Sequence, residues 1–416
     1  MKAFLPILAL FSMSVFAGWE SPALQCPEKV LPQGFACPDL THVRDLFGDF
    51  PADMSDEEIA VWKKERAPDL TLCRYRELLR REKERPGSFK PVQLEIAWMT
   101  TEGGKDPAKK LASVVSASQK FGVPPHILIG ALTQESLLAS LGISMDGGNY
   151  SCGIAQLNIS EWCQGMQSLS PNERANLNWP AINCSAITSS HVAPFYDIAV
   201  KRLGGRPEYQ INAADFQGIT TDDVKLPQNI FLAVSSFVKN CQDDELSIRF
   251  KAANLKNLFT NFVPSPLRLR ELYSENAERP ASCRINNTTS FYPLHTGWLL
   301  AVAMYNAGPR VSGILEHYYQ VKSNNFPMMT PKDLVEALHW GGKVKEGRNV
   351  VVFTNQEGKT MSQSWYKSCV VQRHVARVVQ HVTLPGQTIL NSLEKVPCST
   401  GEVPLYRRNS SGIKEL

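Results

Sequence analysis

The chain has 416 residues, with 44 lysines and arginines against 40 aspartates and glutamates, and a formal net charge of +4 at pH 7. This small positive excess gives no reason to expect a nucleic-acid ligand, although it is compatible with an anionic polymer. The length is sufficient for more than one domain.

The first residues have the pattern of a secretory signal peptide. Lys2 supplies the positive charge, residues 5–16 are apolar, and Val15-Phe16-Ala17 places small residues at the cleavage positions. The apolar run is too short to cross a membrane comfortably. We therefore expect residues 1–17 to be removed and the protein to be exported, either periplasmic or secreted, without a stable membrane span. An uncleaved anchor is the alternative.

The segment from 18 to 105 precedes the motifs discussed below, and its role is unknown. A helix is predicted from Asp53 to Arg85, because Ser55 is followed three residues later by Glu58, a combination typical of a helix N-terminus. Residues 101–104, Thr-Glu-Gly-Gly, are predicted to form a linker.

The next helix carries an acid in an unexpected position. Pro124-Pro125 predicts a helix start, and apolar residues follow at helical spacing: Ile127, Leu128, Ala131 and Leu132. Glu135 falls on the same stripe, and Leu138 is expected to continue it. Burial and the helix C-terminus both disfavour a carboxylate, so we expect Glu135 to hold a proton, as a general acid does. The alternative is a glutamate that closes a structural hydrogen bond.

The remaining predicted elements are mostly helical. Helices are predicted at 107–121, 228–239, 296–305 and 370–382, and a small hairpin at 350–353 and 360–366. All ten cysteines follow the signal peptide, which predicts a disulfide framework. The sequence leaves the pairing open; Cys26 with Cys37 and Cys152 with Cys163 are plausible local loops. No metal-binding spacing is found, so neither a metal nor another cofactor is expected.

Four short segments occur in an informative order. They are Glu135-Ser136, Gly153-Ile154-Ala155-Gln156, Gln228-Asn229-Ile230 and Tyr305-Asn306-Ala307-Gly308. In order and type they resemble the catalytic domain of the lytic transglycosylases, which are relatives of goose-type lysozyme. The family turn is Gly-Leu-Met-Gln, so Ile154 and Ala155 depart from it. The resemblance covers about residues 106–320, the predicted domain extends to 383, and the stretches near 160–226 and 240–290 are treated as insertions.

The resemblance implies a mainly α (α+β) fold. It would be a lysozyme-like helical catalytic domain at 106–383 with a small β-hairpin and disulfide-braced insertions, preceded by a helical segment at 18–105 and followed by a tail at 384–416. It also implies a substrate, the glycan strands of peptidoglycan. Glu135 would be the single acid/base that cleaves the bond between N-acetylmuramic acid and N-acetylglucosamine, leaving 1,6-anhydro ends.

The resemblance also implies substrate-binding residues. Gln156 would border the sugar site, Tyr305 and Asn306 would face Glu135, and Ser144 would contact an N-acetyl group. Trp162 and Trp179 are candidates for stacking on sugars, although an aromatic residue in a loop more often packs internally.

Asp146 leaves a second function open. It lies in the loop Ser144-Met145-Asp146-Gly147-Gly148-Asn149, and goose-type lysozymes carry an Asp in a similar loop, where it helps to position water. With Asp146 as a second carboxylate, the protein would be a muramidase that hydrolyses the same bond. Asp146 alternatively fixes the loop as an Asx-turn. A third possibility, suggested by the insertions, is a cell-wall-binding protein without catalysis. The oligomeric state is left open.

Overall fold

The structure, a computed structural model, describes residues 39, 41, 70–146, 148–264, 268, 296–309, 311, 334, 338, 343–344, 350–354, 360–364, 371, 374–375, 377–378, 406–409 and 412–415. The predicted signal peptide, the Cys26–Cys37 pairing and most of the predicted tail lie outside these residues. Within them, the protein is mainly helical with a small antiparallel sheet, as the sequence predicts.

The described α-helices are, in chain order, α1 Leu70–Glu84, α2 Pro91–Thr101, α3 Pro107–Phe121, α4 Pro125–Ser136, α5 Ile159–Met166, α6 Pro171–Asn176, α7 Ala193–Lys201, α8 Thr221–Val224, α9 Gln228–Asn240, α10 Asp244–Phe262 and α11 Thr296–Ala307. Short 3-10 turns lie between α6 and α8, at Cys184–Ala186, Ser189–His191, Glu208–Gln210 and Ala213–Phe216.

The described strands form three antiparallel groups: β1 Ser144–Asp146, β2 Asn149–Cys152 and β3 Leu157–Asn158; β4 Lys343–Val344, β5 Val350–Thr354 and β6 Thr360–Ser364; β7 Tyr406–Asn409 and β8 Gly412–Glu415. In the first group, Ser144 pairs with Ser151 and Cys152 with Leu157. The hairpin predicted from the sequence is confirmed as β5 and β6, with Val352 opposite Ser362.

The described residues fall into two compact units, each discontinuous in sequence. The first contains residues within Pro27–Phe121 and Ala131–Asn254, and the second contains residues within Gly122–Gly130 and Leu255–Leu416. In the first unit, the fully buried Trp162 packs edge to face against Phe237 and Phe250, at centroid distances of 5.7 and 4.7 Å. This aromatic cluster joins α5, α9 and α10. It stabilises their packing because it buries a large apolar area with a defined ring geometry.

The second unit has its own aromatic contact. Phe259 of α10 stacks on Trp298 of α11 with ring centroids 3.9 Å apart, and both side chains are buried. Helix α11 is apolar along almost its whole length, and its residues from Thr296 to Met304 are buried. A helix that is apolar on every face belongs inside a core rather than on a surface.

One sequence prediction about the N-terminal half is wrong: residues 101–104 do not form a linker. Helix α2, which ends at Thr101, was not predicted. Gly103 is buried, and a Cβ added there would lie 2.8 Å from the Cβ of Ala139. The glycine is therefore needed for close packing of the chain after α2, not for flexibility. Helix α1 confirms the end of the helix predicted from Asp53 to Arg85, and the rest of that prediction lies outside the described residues.

Candidate active site

Helix α4, which carries Glu135, is buried on every face. Residues 127–134 are all buried, including the polar Thr133 and Gln134. The prediction of a single apolar stripe was therefore too narrow. Glu135 retains 14% side-chain exposure, so it is one of the few positions of this helix that reach solvent. A carboxyl group held between protein and solvent suits proton transfer to a ligand.

The chain after Glu135 adopts an unusual conformation. Helix α4 ends at Ser136, and Leu137 and Leu138 both have positive φ, 54° and 62°. The expectation that Leu138 continues the helical stripe is therefore wrong. Each left-handed leucine costs about 1–2 kcal/mol. The buried Lys110 contributes to holding the turn by donating from Nζ to the Leu138 carbonyl at 2.7 Å. Such strain persists where the surroundings fix it, often at functional sites.

Ser136 joins the end of α4 to the Gly153–Gln156 turn. Its hydroxyl is fully buried and donates to the Ile154 carbonyl at 2.7 Å. The Ile154 carbonyl thereby gains a partner inside the core, where an unpaired carbonyl would be costly. Two of the four sequence segments, Glu135-Ser136 and Gly153-Ile154-Ala155-Gln156, are thus adjacent in space although 18 residues separate the bonded pair.

The turn itself requires glycine at its first position. Gly153 has φ of +77°, and a Cβ there would lie 2.0 Å from the Cys241 carbonyl oxygen. Cys241 is fixed by a disulfide to Cys152, so the backbone that excludes a side chain is covalently tied to the turn. Cys163 pairs with Cys184 instead. The predicted Cys152–Cys163 loop is therefore wrong, because α5 directs Cys163 toward the 3-10 turn at Cys184.

Gln156 and Ser144 are in direct contact, while their predicted role in binding substrate stays a prediction. The Gln156 carbonyl oxygen accepts hydrogen bonds from the hydroxyls of Ser144 and Ser151, each at 3.0 Å. Its amide nitrogen donates to the Gly153 carbonyl at 2.8 Å. Gln156 also has positive φ, 49°. These bonds fix the amide at the edge of the β1–β2–β3 sheet and fill both acceptor positions of its oxygen.

Lys251 is the functional candidate that the sequence analysis missed. Its Nζ lies 3.0 Å from Glu135 Oε1, and Lys251 is fully buried in α10. Burial lowers the pKa of Lys251, while the charges of Glu135 and Glu161 act in the opposite direction. A local signal was present in the sequence: Lys251 lies three residues after Ile248 and four before Leu255, both fully buried. A lysine on the apolar stripe of a helix needs a buried partner.

Glu161, the second acid that acts on Lys251, is held by the start of α5. Its carboxylate accepts from the Asn158 backbone N–H at 2.9 Å, and the Asn158 side chain accepts from the Glu161 N–H at 3.0 Å. This reciprocal pair is a capping box. Asn254 donates to the Glu161 carbonyl at 3.0 Å, which ties α10 to α5 one turn after Lys251.

The other predicted site residues have separate outcomes. Tyr305 and Asn306 lie in the last turn of α11, in the second unit, and Asn306 Nδ2 is 3.5 Å from His374 Nδ1. Their predicted role opposite Glu135 stays a prediction. Asp146 pairs with Asn149 through the β1–β2 backbone, but its side chain lies outside the description, so its role as a second carboxylate also stays a prediction. Trp162 is fully buried and cannot stack on a sugar.

Comparison with protein-family models, characterised proteins and solved structures found no match. The resemblance to lytic transglycosylases therefore rests on the residues of this chain. Within the described residues, no three or more His, Cys, Asp or Glu side chains are arranged to hold a metal ion. Nor does any described helix combine the length and apolar composition needed to cross a membrane.

Proposed function

We propose that this protein is an exported peptidoglycan lytic transglycosylase with a lysozyme-like catalytic domain. The observation that supports it most is the position of Glu135. A mostly buried carboxyl group lies at the end of α4, and the next residue, Ser136, hydrogen-bonds the Gly153–Gln156 turn. These are the first two segments of the motif order that resembles the family. Disulfides in the described residues are compatible with export.

The proposed reaction uses Glu135 twice. As an acid, it gives its proton to the oxygen that links N-acetylmuramic acid to N-acetylglucosamine, and the bond from the muramic C1 to that oxygen breaks. The substrate's own N-acetyl oxygen stabilises the positive charge at C1. As a base, the Glu135 carboxylate then takes the proton of the muramic 6-hydroxyl. The 6-oxygen bonds to C1 and closes the anhydro ring, so no water is consumed.

The Gln156 amide supports recognition of an N-acetyl group. Its oxygen is occupied by Ser144 and Ser151, and one N–H is used by Gly153. The second N–H of the amide is a donor that suits an acetamido carbonyl. Gln156 would therefore bind substrate as a donor, whereas Ser144 would act through Gln156 by holding the amide in place.

Digestion of purified sacculi followed by mass spectrometry of the released muropeptides tests this proposal. We expect anhydro ends, each lighter by one water than a reducing end, and their loss in Glu135→Gln. Glu173→Gln is the matched control, because Glu173 is another ion-paired acid, but one that caps a surface helix. Reducing ends would contradict the lyase and indicate a muramidase, for which Asp146→Asn is the next variant.

The Glu135–Lys251 ion pair favours one further candidate function, a cell-wall-binding protein without turnover. A buried lysine beside the acid is also what a purely structural glutamate would have. In that case sacculi would be bound but not cleaved, and Glu135→Gln would leave binding unchanged. Cosedimentation with sacculi, measured beside product release, separates the two functions.

A further inference from the structure

Lys251 places a cation where the proposed chemistry needs a proton. The Lys251 nitrogen lies 3.0 Å from Glu135 Oε1, at a separation of 116 residues in sequence. Lys251 belongs to α10, within the stretch near 240–290 that lies outside the family-like segments. The chain thus adds to its proposed acid a partner that the motif order does not include.

Three effects act on the proton of Glu135. Partial burial and the C-terminal end of α4 favour the neutral acid, whereas an adjacent ammonium favours the carboxylate. An opposite charge within about 4 Å shifts a titration by about 1–3 pH units. The Lys251 nitrogen lies within that distance of the Glu135 carboxyl group. Glu135 keeps 14% side-chain exposure, so its own burial is incomplete. Because Glu135 is only partly buried, we take the ion pair to be the largest of the three effects.

We propose that Lys251 is a positioning residue for Glu135 that holds it as a carboxylate at neutral pH and so moves the activity of the enzyme toward acidic pH. The inference rests on the proposed function of Glu135 as acid and base. In the first step, only the protonated fraction of Glu135 can serve the leaving oxygen, which makes the rate fall as the pH rises. In the second step, the ammonium stabilises the carboxylate that accepts the 6-hydroxyl proton.

The charged groups around Lys251 are consistent with a charged amine. Glu135 faces it from α4 and Glu161 acts on it from α5, and both carboxylates favour the ammonium. Burial acts against them and is the largest single effect, so the pKa of Lys251 is lowered from its ordinary value. Glu161 is fixed by its capping box with Asn158, so this second anion stays near Lys251 whether or not Glu135 is protonated.

The pH dependence of muropeptide release from sacculi tests the charge. In the wild type, the rate of muropeptide release should fall as the pH rises, and we call this decline the falling limb. In Lys251→Met, we expect the falling limb to lie about 1–3 pH units higher. Lys251→Arg keeps the charge and should keep the wild-type limb. Lys110→Met is the matched control, since Lys110 is also a buried lysine but pairs with a different acid, Asp244, at 3.6 Å and donates to the Gly103 and Leu138 carbonyls. It should lower stability and leave the limb in place.

An unshifted limb in folded Lys251→Met would overturn the proposal, as would an equal shift in Lys251→Arg or Lys110→Met. A merely structural lysine would change the stability and the maximal rate but not the position of the limb. This comparison uses the full chain throughout, with folding checked by circular dichroism.

Carbon-13 NMR of the glutamate carboxyl groups keeps the inference testable if the wild type shows no turnover. The Glu135 signal is identified by its loss in Glu135→Gln. Its titration should occur at higher pH in Lys251→Met than in the wild type, and identical titrations would refute the role of Lys251 independently of the enzyme activity. If Lys251→Met does not fold, the wild type alone decides: a Glu135 carboxyl that is protonated at neutral pH contradicts the proposal.

Discussion

Substituting alanine for Gly153 tests whether the turn beside Glu135 is as tightly packed as the structure shows. The new Cβ would lie 2.0 Å from the Cys241 carbonyl oxygen and 2.8 Å from Ser247 Oγ. A real Cβ cannot approach a carbonyl so closely, so the backbone has to move. The Cys152–Cys241 disulfide resists that movement, because it joins the two segments that would have to separate.

The expected cost has two parts. An alanine at φ of +77° costs about 1–2 kcal/mol in backbone strain. Overpacking against the Cys241 carbonyl adds about 1–3 kcal/mol, which gives roughly 2–5 kcal/mol in total. Gly148 provides a matched control in the same sheet region: its φ is +84°, but a Cβ there meets nothing within 4 Å. Gly148→Ala should therefore show the strain alone.

Urea denaturation of both variants and the wild type measures the free energy of unfolding. We expect Gly153→Ala to be less stable than Gly148→Ala by about 1–3 kcal/mol, the overpacking contribution. We also expect a lower rate of muropeptide release, because the displaced turn carries Gln156. Equal destabilisation of the two variants would refute the argument, since it would mean that the close approach to Cys241 has no energetic consequence.

Two further predictions concern single contacts. Ser136→Ala should lower the free energy of unfolding by about 1–3 kcal/mol, because the Ile154 carbonyl loses a buried donor at 2.7 Å; an unchanged urea midpoint would contradict this. The hydrogen bond from Arg249, more than any other contact, lowers the pKa of Glu173 to about 2. This stabilisation is complete above the ordinary value of 4.5 and is lost as the pH falls toward about 2. Thermal unfolding of wild type and Glu173→Gln should therefore converge in strong acid, and a constant difference would argue against the ion pair.

Local patterns predicted only some of the helices: α2, α5, α7 and α10 were not predicted. Helices α3, α9 and α11 lie where the apolar spacing predicts them, and the β5–β6 hairpin flanks the predicted turn. The β1–β2–β3 sheet was not predicted, because its strands have only two to four residues and include the polar residues Ser, Asp and Asn. Strands of this length are too short to show an alternation of apolar and polar residues, and they are defined by backbone pairing instead of by a side-chain pattern.

Long-range pairing was the part that sequence could not supply. Cys152 has a closer candidate in Cys163, yet it pairs with Cys241 at a separation of 89 residues. The packing of α5 and α9 decides this, and no spacing rule encodes it. Glu135 was found because its own helix is strongly patterned. Lys251 was overlooked although it lies on an apolar stripe, because the sequence does not show which acid lies beside it, and Glu135 is 116 residues away.

The Glu135–Lys251 pair shows why burial alone could not settle the chemistry. From the sequence, an acid on an apolar helix is expected to be neutral, since desolvation and the helix end act in the same direction. The structure adds a buried lysine, which acts in the opposite direction and at shorter range. Helix α10 then has two separable roles: Asn254 ties it to α5, whereas Lys251 sets the charge beside the proposed acid. A structural lysine and one that controls protonation thus predict different results for Lys251→Met, a loss of stability in the first case and a displaced pH profile in the second.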